Sequence, residues 1–230
     1  MAGKVTAIVL AAGKGSRMNS DTPKQYLTLL GKPVLFYSLQ AFEISDVDNI
    51  VLVTGSGEQE YCKKEIIEKY HFNKVTHIVE GGAERYHSVW HGLLVAEASD
   101  YVLIHDGARP LITSYIINKA IKSVKETGAC VVGMPVKDTI QLVDDSTRIT
   151  STPDRKHTWI AQTPQCFAYN LALSSYNKAM ESEDKAITDD AMVVCRYGNA
   201  TVTMLEGSYE NIKVTTPEDI PIAECFLKMR

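Results

Sequence analysis

Ile8-Val9-Leu10-Ala11-Ala12-Gly13-Lys14-Gly15-Ser16-Arg17-Met18, followed by Thr22-Pro23-Lys24-Gln25-Tyr26, decides how this chain is read. An apolar run of strand length enters a loop of small residues, and cations follow. Small residues let backbone N–H groups approach phosphate oxygens. Lys14, Arg17 and Lys24 add three positive charges within a short segment. The arrangement suits a triphosphate, yet it matches neither common phosphate loop. A Walker A loop needs Gly-x-x-x-x-Gly-Lys-Ser/Thr, which Gly13-Lys14-Gly15-Ser16 does not satisfy. A dinucleotide fingerprint needs Gly or Ala where Met18 stands, and an acid about 20 residues on, where Thr28-Leu29-Leu30-Gly31-Lys32 offers none. A tight strand–helix turn would account for the small residues but requires neither Arg17 nor Lys24.

Outward from this segment, apolar runs recur at residues 5–10, 50–54, 75–79, 101–104 and 129–134. They lack strict alternation, as strands buried on both faces do. Amphipathic stretches lie between them at 34–42, 60–70, 84–96 and 114–127. Thr113 or Ser114 suits the start of the last, and Gly128 its end. The alternation predicts an α/β fold: a Rossmann-like, mostly parallel sheet flanked by helices and joined by right-handed crossovers.

Past Pro135 the pattern changes. Residues 138–143 alternate apolar and polar, Asp144-Asp145-Ser146-Thr147 is turn chemistry, and 148–152 return. A protruding β-arm at about 136–160 follows, read either as a solvated hairpin or as a dimerisation arm. Trp159 and Ile160 lead back to the domain. Helices are expected at 168–180, at 189–196 and from Pro217 to 229, and a strand at 200–205. No repeat, low-complexity stretch or linker is evident, so residues 1–230 read as a single domain.

The 230 residues, 45% of them hydrophobic, suffice for one substantial core. A formal net charge of −4 argues against bulk binding of nucleic acid, so any basic function is local. The N-terminus has no secretory h-region and no apolar run approaches a membrane span, so a cytoplasmic protein without a membrane partner is expected. Cys62, Cys130, Cys166, Cys195 and Cys225 are odd in number and lack Cys-x-x-Cys spacing. That argues against zinc knuckles, redox motifs or a disulfide framework.

In an open parallel sheet, ligands bind at the carboxyl ends of the strands. Four polar or small-residue segments fall there: residues 11–17, Gly81-Gly82-Ala83-Glu84-Arg85, His105-Asp106-Gly107-Ala108-Arg109-Pro110 and Lys137-Asp138-Thr139. Asp106 suits a Mg²⁺ shared with substrate phosphates, or an Asx cap on the next loop. Arg109 could reach an anionic substrate or form a structural ion pair. His87 and His91, four apart on an expected helix, lack a third zinc ligand. His105 reads as a core or supporting residue, or as a catalytic base. Asp189 and Asp190 read as helix N-terminal residues rather than as an acid–base pair.

Eight segments in order carry a resemblance over nearly the whole chain. They are Ala11-Ala12-Gly13-x-Gly15-x-Arg17-Met18, Pro23-Lys24-Gln25-Tyr26, Gly81-Gly82-x-x-Arg85-x-x-Ser88-Val89, His105-Asp106-x-Ala108-Arg109-Pro110, Pro135-Val136-x-Asp138-Thr139, Gln162-Thr163-Pro164-Gln165-x-Phe167, Thr188-Asp189-Asp190-Ala191 and Asn211-Ile212-Lys213-x-Thr215. Together they resemble the 2-C-methyl-D-erythritol 4-phosphate cytidylyltransferase family. One segment alone would mark only the wider nucleotidyltransferase superfamily. The chain departs from the family at position 107, Gly where Ala is frequent, and carries Lys at 14; Gly107 adds backbone freedom beside Asp106.

The resemblance implies transfer of CMP from CTP to the acceptor phosphate, with release of pyrophosphate. It implies that Arg17 and Lys24 stabilise the transition state on the CTP phosphates, and that Ala11, Ala12, Gly13 and Gly15 line the nucleotide loop. Gly82 and Ser88 would face base and ribose, and Asp106 would hold Mg²⁺ or another divalent cation. Arg109, Thr139, Arg155, Thr163, Thr188 and Lys213 would position the acceptor phosphate. It further implies a homodimer paired through the arm, with Arg155 serving the neighbouring site. A cytidylyltransferase for another polyol phosphate, such as ribitol 5-phosphate, shares the nucleotide loop. The segment Val136-x-Asp138-Thr139-Ile140 and the Arg155/Lys213 pair favour methylerythritol phosphate. A non-catalytic nucleotide sensor would not need Lys24, Asp106 and Lys213 together.

Overall fold

The computed structural model describes residues 3–13, 15–18, 20, 22–182 and 186–230; Lys14 and residues 183–185 of the charged 181–185 loop lie outside them. Strand β1 (Val5–Ala11) runs through the middle of the sheet. Its continuous apolar character follows from being covered twice. Val5, Ala7 and Val9 pack with Leu35, Leu39 and Phe42 of α1 (Val34–Glu43) and with Ile117, Ala120 and Val124 of α4 (Ser114–Thr127). Ile8, pointing the other way, packs with Val89 and Leu93 of α3 (Arg85–Leu94), and with Tyr176 of α5 (Tyr169–Ser182) and Val193 of α6 (Asp190–Gly198). Alternate side chains point to opposite faces, so a strand between two helical layers is apolar on both; its one polar residue, Thr6, is buried with its hydroxyl paired to Ser99 Oγ at 2.6 Å.

The remaining strands are β2 (Asn49–Thr54), β3 (Val75–Glu80), β4 (Tyr101–Asp106), β5 (Ala129–Pro135), β6 (Trp159–Ala168) and β7 (Thr203–Glu206). The order across the sheet is β7-β5-β6-β4-β1-β2-β3. All neighbours are parallel except β6, which is antiparallel to both β4 and β5. Between β2 and β3, α2 (Gln59–Tyr61) continues as a π-helical stretch over Cys62–Glu68. α7 (Asp219–Lys228) closes the chain.

The mostly parallel α/β sheet and the helices at 34–43 and 114–127 match the sequence expectation. Thr113 caps α4 by accepting from the Ile116 N–H, and Gly128 ends it in a left-handed conformation. The 159–168 segment, expected only to lead back to the domain, is a ten-residue strand placed between β4 and β5. It returns from a hairpin-like excursion rather than through a helical crossover, so it runs antiparallel. The arm itself pairs only Leu142–Val143 with Ile149–Ser151. The last strand starts at Thr203, later than expected, and α7 starts at Asp219, with Pro217 in the turn before it.

Candidate active site

The carboxyl ends of β1, β3 and β4 open onto one cleft of about 1070 Å³, at the upper end of ordinary ligand-pocket sizes. Ala11, Ala12 and Gly13 line it from β1, Gly81, Gly82 and Ser88 from the β3–α3 turn, and Lys24, Asp106 and Lys213 close one end. The glycine-rich loop is held by what surrounds it. Gln25 is buried and donates from Nε2 to the Ala11 carbonyl at 2.6 Å. Tyr26 OH donates to Glu58 Oε2 at 2.7 Å. The flanking residues of Pro23-Lys24-Gln25-Tyr26 thus fix Lys24 against the loop. Gly15 sits at φ 64°, and a Cβ there would meet the Lys24 stem at 3.1–3.3 Å. Met18, where a dinucleotide loop has a small residue, is buried with Leu29, Val34, Leu111, Val214 and Ala223.

Lys24 donates from Nζ to the Val214 carbonyl at 3.1 Å. Its pKa is lowered to about 8, first by burial and then by the Lys213 charge, with Arg17 and Arg109 adding and Asp106 opposing. Arg17 is exposed on the short helical turn 16–18.

Asp106 is the hub of the same end of the cleft. Lys213 Nζ is 2.8 Å from Oδ2, Arg85 Nε is 3.2 Å from Oδ1 and Arg109 Nε is 3.9 Å from Oδ2. Burial would raise this carboxyl, but Arg85, Lys213 and Arg109 hold it well below the usual carboxylate range. Gly107 bears on the same wall. Its N–H donates to the Leu10 carbonyl, and an added Cβ would lie 2.9 Å from that oxygen and 2.8 Å from Leu35 Cδ1. The glycine here answers to close packing of β4 on β1.

Thr163 lies beneath Asp106 rather than in the cleft. It is 3% exposed, accepts from the Asp106 N–H at 3.1 Å and pairs with His105 Nδ1 at 2.9 Å. His105 is fully buried, edge-on to Phe42, and burial lowers its pKa to about 3, so it is neutral. Arg109 donates to the Asn211 carbonyl, and Asn211 donates to the Thr163 carbonyl, so the 211–213 segment is tied to β6. Thr188 is exposed just before α6. Thr139 and Arg155 are exposed on the arm and line no part of this cleft; Arg155 donates to the Lys137 carbonyl at 3.2 Å. The fold therefore gathers Lys24, Asp106, Arg109 and Lys213, and leaves Thr139, Arg155 and Thr188 outside.

His87 and His91 are occupied locally, His87 Nδ1 by the Glu84 N–H and His91 Nδ1 with the Glu80 carbonyl. Asp189 caps α6 by accepting from the Met192 N–H. Asp190 does more than face a helix terminus: it is fully buried and takes both Nη atoms of Arg85, at 2.7 and 2.8 Å. Arg85 stood in a quoted motif without a role, and the sequence held no signal for its partner, which is 105 residues away. Gln25 and Asn211 were likewise missed as supports.

Among the described residues no group of three or more His, Cys, Asp or Glu side chains gathers to hold a metal. A hard divalent cation at Asp106 would complete its shell with phosphate and water oxygens, as Mg²⁺ does at phosphate sites, and an ionised carboxylate on the cleft wall fits that chemistry.

A model of the 2-C-methyl-D-erythritol 4-phosphate cytidylyltransferase family matches residues 5–229. The protein of that name from Lachnoclostridium phytofermentans is 51% identical over 225 residues, covering 98% of this chain and 97% of its own. That from Alkaliphilus oremlandii is 49% identical over 229 residues, covering 99% and 96%. The solved 4-diphosphocytidyl-2C-methyl-D-erythritol synthase of Anaerococcus prevotii superimposes with a TM-score of 0.86 at 32% identity, covering 99% of this chain and 97% of its own. With the match spanning both the glycine-rich loop and the Asp106–Lys213 wall, the chain belongs to the 2-C-methyl-D-erythritol 4-phosphate cytidylyltransferase family.

Proposed function

We propose that this chain transfers CMP from CTP to 2-C-methyl-D-erythritol 4-phosphate. An acceptor phosphate oxygen attacks the α-phosphorus of CTP, a new P–O–P bridge forms, and the bond to the β-phosphate breaks to release pyrophosphate. The observation that carries this reading is one ionised carboxylate, Asp106, held by Arg85, Arg109 and Lys213 at the end of a small-residue cleft that Lys24 also lines. The attacking oxygen is already anionic, so no strong base is required. The chemical problem is to bring two anions together and offset the charge that develops, which fixed cations do by preorganisation.

In this reading Ala11, Ala12, Gly13 and Gly15 present backbone to the triphosphate, and Gly82 and Ser88 face base and ribose. The Gly82 N–H donates to Ser88 Oγ at 3.1 Å, which supports a fixed hydroxyl on that side. Arg17 and Lys24 stabilise the departing charge. Asp106 is the carboxylate for Mg²⁺ or another divalent cation, which when bound would neutralise phosphate charge. Lys213 and Arg109 position the acceptor phosphate together with Thr139, Arg155 and Thr188. Thr163, expected in the same set, is buried beneath Asp106 with its hydroxyl engaged by His105 and the Asp106 N–H, so it supports the carboxylate rather than the phosphate.

The arm supports a homodimer. Leu142, Val143, Ile149 and Ile160 are all more than half exposed on it, and a two-stranded hairpin is marginal by itself. Pairing two arms would cover these side chains and bring Arg155 of one protomer toward the cleft of its partner. Residues 1–230 act as one nucleotidyltransferase domain with its arm at 136–160. No described helix is long and apolar enough to cross a membrane, and we read the enzyme as cytoplasmic on its unpaired thiols.

The deciding experiment is pyrophosphate release from CTP with methylerythritol phosphate and ribitol 5-phosphate in parallel. Methylerythritol phosphate is expected to be used at least tenfold better in kcat/KM. A preference for ribitol phosphate would overturn the proposal.

A further inference from the structure

Three elements meet behind Asp106. Arg85 opens α3, Asp190 opens α6, and Tyr176 comes from α5. The Asp190 carboxylate is fully buried and receives Arg85 Nη1 at 2.7 Å, Nη2 at 2.8 Å and Tyr176 OH at 2.5 Å. Both ends of the guanidinium fork are thereby taken. The remaining edge donates from Nε to Asp106 Oδ1 at 3.2 Å. A planar group held along one edge by a bidentate carboxylate cannot turn about its stem. The direction of its Nε–H is therefore fixed by α6, not by Asp106.

The charge balance shows what this arrangement adds. Asp190 pairs with the charge of Arg85, so beyond Asp106, which Arg85 helps hold ionised, the dyad offers less free positive charge than a lone arginine. Lys213, Arg109 and Lys24 already supply that. What the dyad supplies is an oriented donor. Asp106 Oδ1 is tied to a rigid partner, while Oδ2 is held by the flexible, partly exposed Lys213 at 2.8 Å and by Arg109 at 3.9 Å. Were Lys213 drawn to an incoming anion, Oδ2 would be left with Arg109 3.9 Å away, whereas Oδ1 would keep its Arg85 partner.

We propose that Arg85, locked by Asp190 and Tyr176, is a positioning residue that fixes the Asp106 carboxylate so that Oδ2 alone is offered to a divalent cation bound with the nucleotide. It acts through Asp106 and not on the substrate. The inference rests on the reading of Asp106 as the metal-facing carboxylate.

Asp190→Asn separates orientation from charge. It keeps the shape but frees the charge of Arg85. If Arg85 served as a cation toward phosphate, the variant would bind CTP more tightly without metal. If Arg85 positions Asp106, metal-free CTP binding stays within about twofold. The half-saturating Mn²⁺ for the CTP complex, read by electron paramagnetic resonance, then rises about tenfold or more, the usual effect of losing a group that orients a metal ligand. Tyr176→Phe retains both charges and the ring, and is expected to raise half-saturating Mn²⁺ about two- to fivefold, as for loss of one hydrogen bond. It decides the matter if Asp190→Asn does not fold, which its melting curve reports. Unchanged Mn²⁺ half-saturation in the folded variants, or tighter metal-free CTP binding in Asp190→Asn, overturns the proposal. Asp106→Asn is the control. If it leaves Mn²⁺ half-saturation unchanged, the metal reading of Asp106 falls and this inference with it. If it raises half-saturation while Asp190→Asn and Tyr176→Phe do not, only the inference falls.

Discussion

Raising the pH from 7.5 to 9.5 should weaken CTP binding through one identifiable group. Lys24 is held at a pKa of about 8 in the free protein, because burial removes water from its ammonium and Lys213, Arg17 and Arg109 repel it. A bound triphosphate reverses that balance and returns the lysine to its ordinary range. The charged form then binds and the neutral form must first take up a proton. The apparent dissociation constant therefore scales as one plus ten to the power of pH minus 8, a rise of about 25-fold between pH 7.5 and 9.5. Phosphate groups titrate near pH 6, below this window. At pH 8, about half a proton should be taken up per CTP bound, as measured by calorimetry in two buffers of different ionisation enthalpy. Lys24→Arg keeps the charge at every pH and should flatten the profile. The free protein responds with the opposite sign. A lysine depressed from 10.5 to about 8 binds fewer protons folded than unfolded between those values. The stability contributed at this site is therefore lowest below pH 8 and recovers as pH rises toward 10.5. Proton uptake below about 0.1 at pH 8, or the same pH slope in Lys24→Arg, would refute the assignment of Lys24 to the phosphates.

Lys24→Ala should lower kcat by about a hundredfold or more, the usual loss for one preorganised charge-stabilising donor, and near-normal turnover would remove Lys24 from the mechanism. Arg155→Ala should raise the KM for the acceptor while leaving CTP binding near wild type; equal weakening of both contradicts its assignment to the acceptor phosphate. Gly107→Ala must push a Cβ against the Leu10 carbonyl and should cost about 1–3 kcal/mol in denaturant unfolding, as overpacking does. A neutral substitution there would show that β4 can move away from β1.

What the chain states locally is what its neighbours in sequence can enforce. The apolar runs, the helix between Thr113 and Gly128 and the glycine-rich loop depend on periodicity, capping and small side chains, and each appears near its expected place. Lys24 and Asp106 stand out in the sequence as a cation and a carboxylate close to strand ends, whereas Lys213 is singled out only by the family resemblance. The arm was visible as a change of pattern, whereas the strand after it was not. Residues 159–168 contain Gln162, Thr163, Pro164 and Gln165, whose polar groups look unsuited to a sheet interior until the partners are known. Those partners are Asn211, His105, Asp106 and the N-terminus of α6. Asp190 is the same case. As a sequence it is an acid at a helix start; in the fold it is a buried counter-ion for Arg85, 105 residues away. The sequence by itself determined the sheet, the glycine-rich loop and the charged residues beside it, because these follow from short-range patterns. Only the tertiary structure decided which buried polar groups satisfy one another and so aim those charges, because the cost of leaving such a group unpaired is set by atoms that chain folding alone brings near.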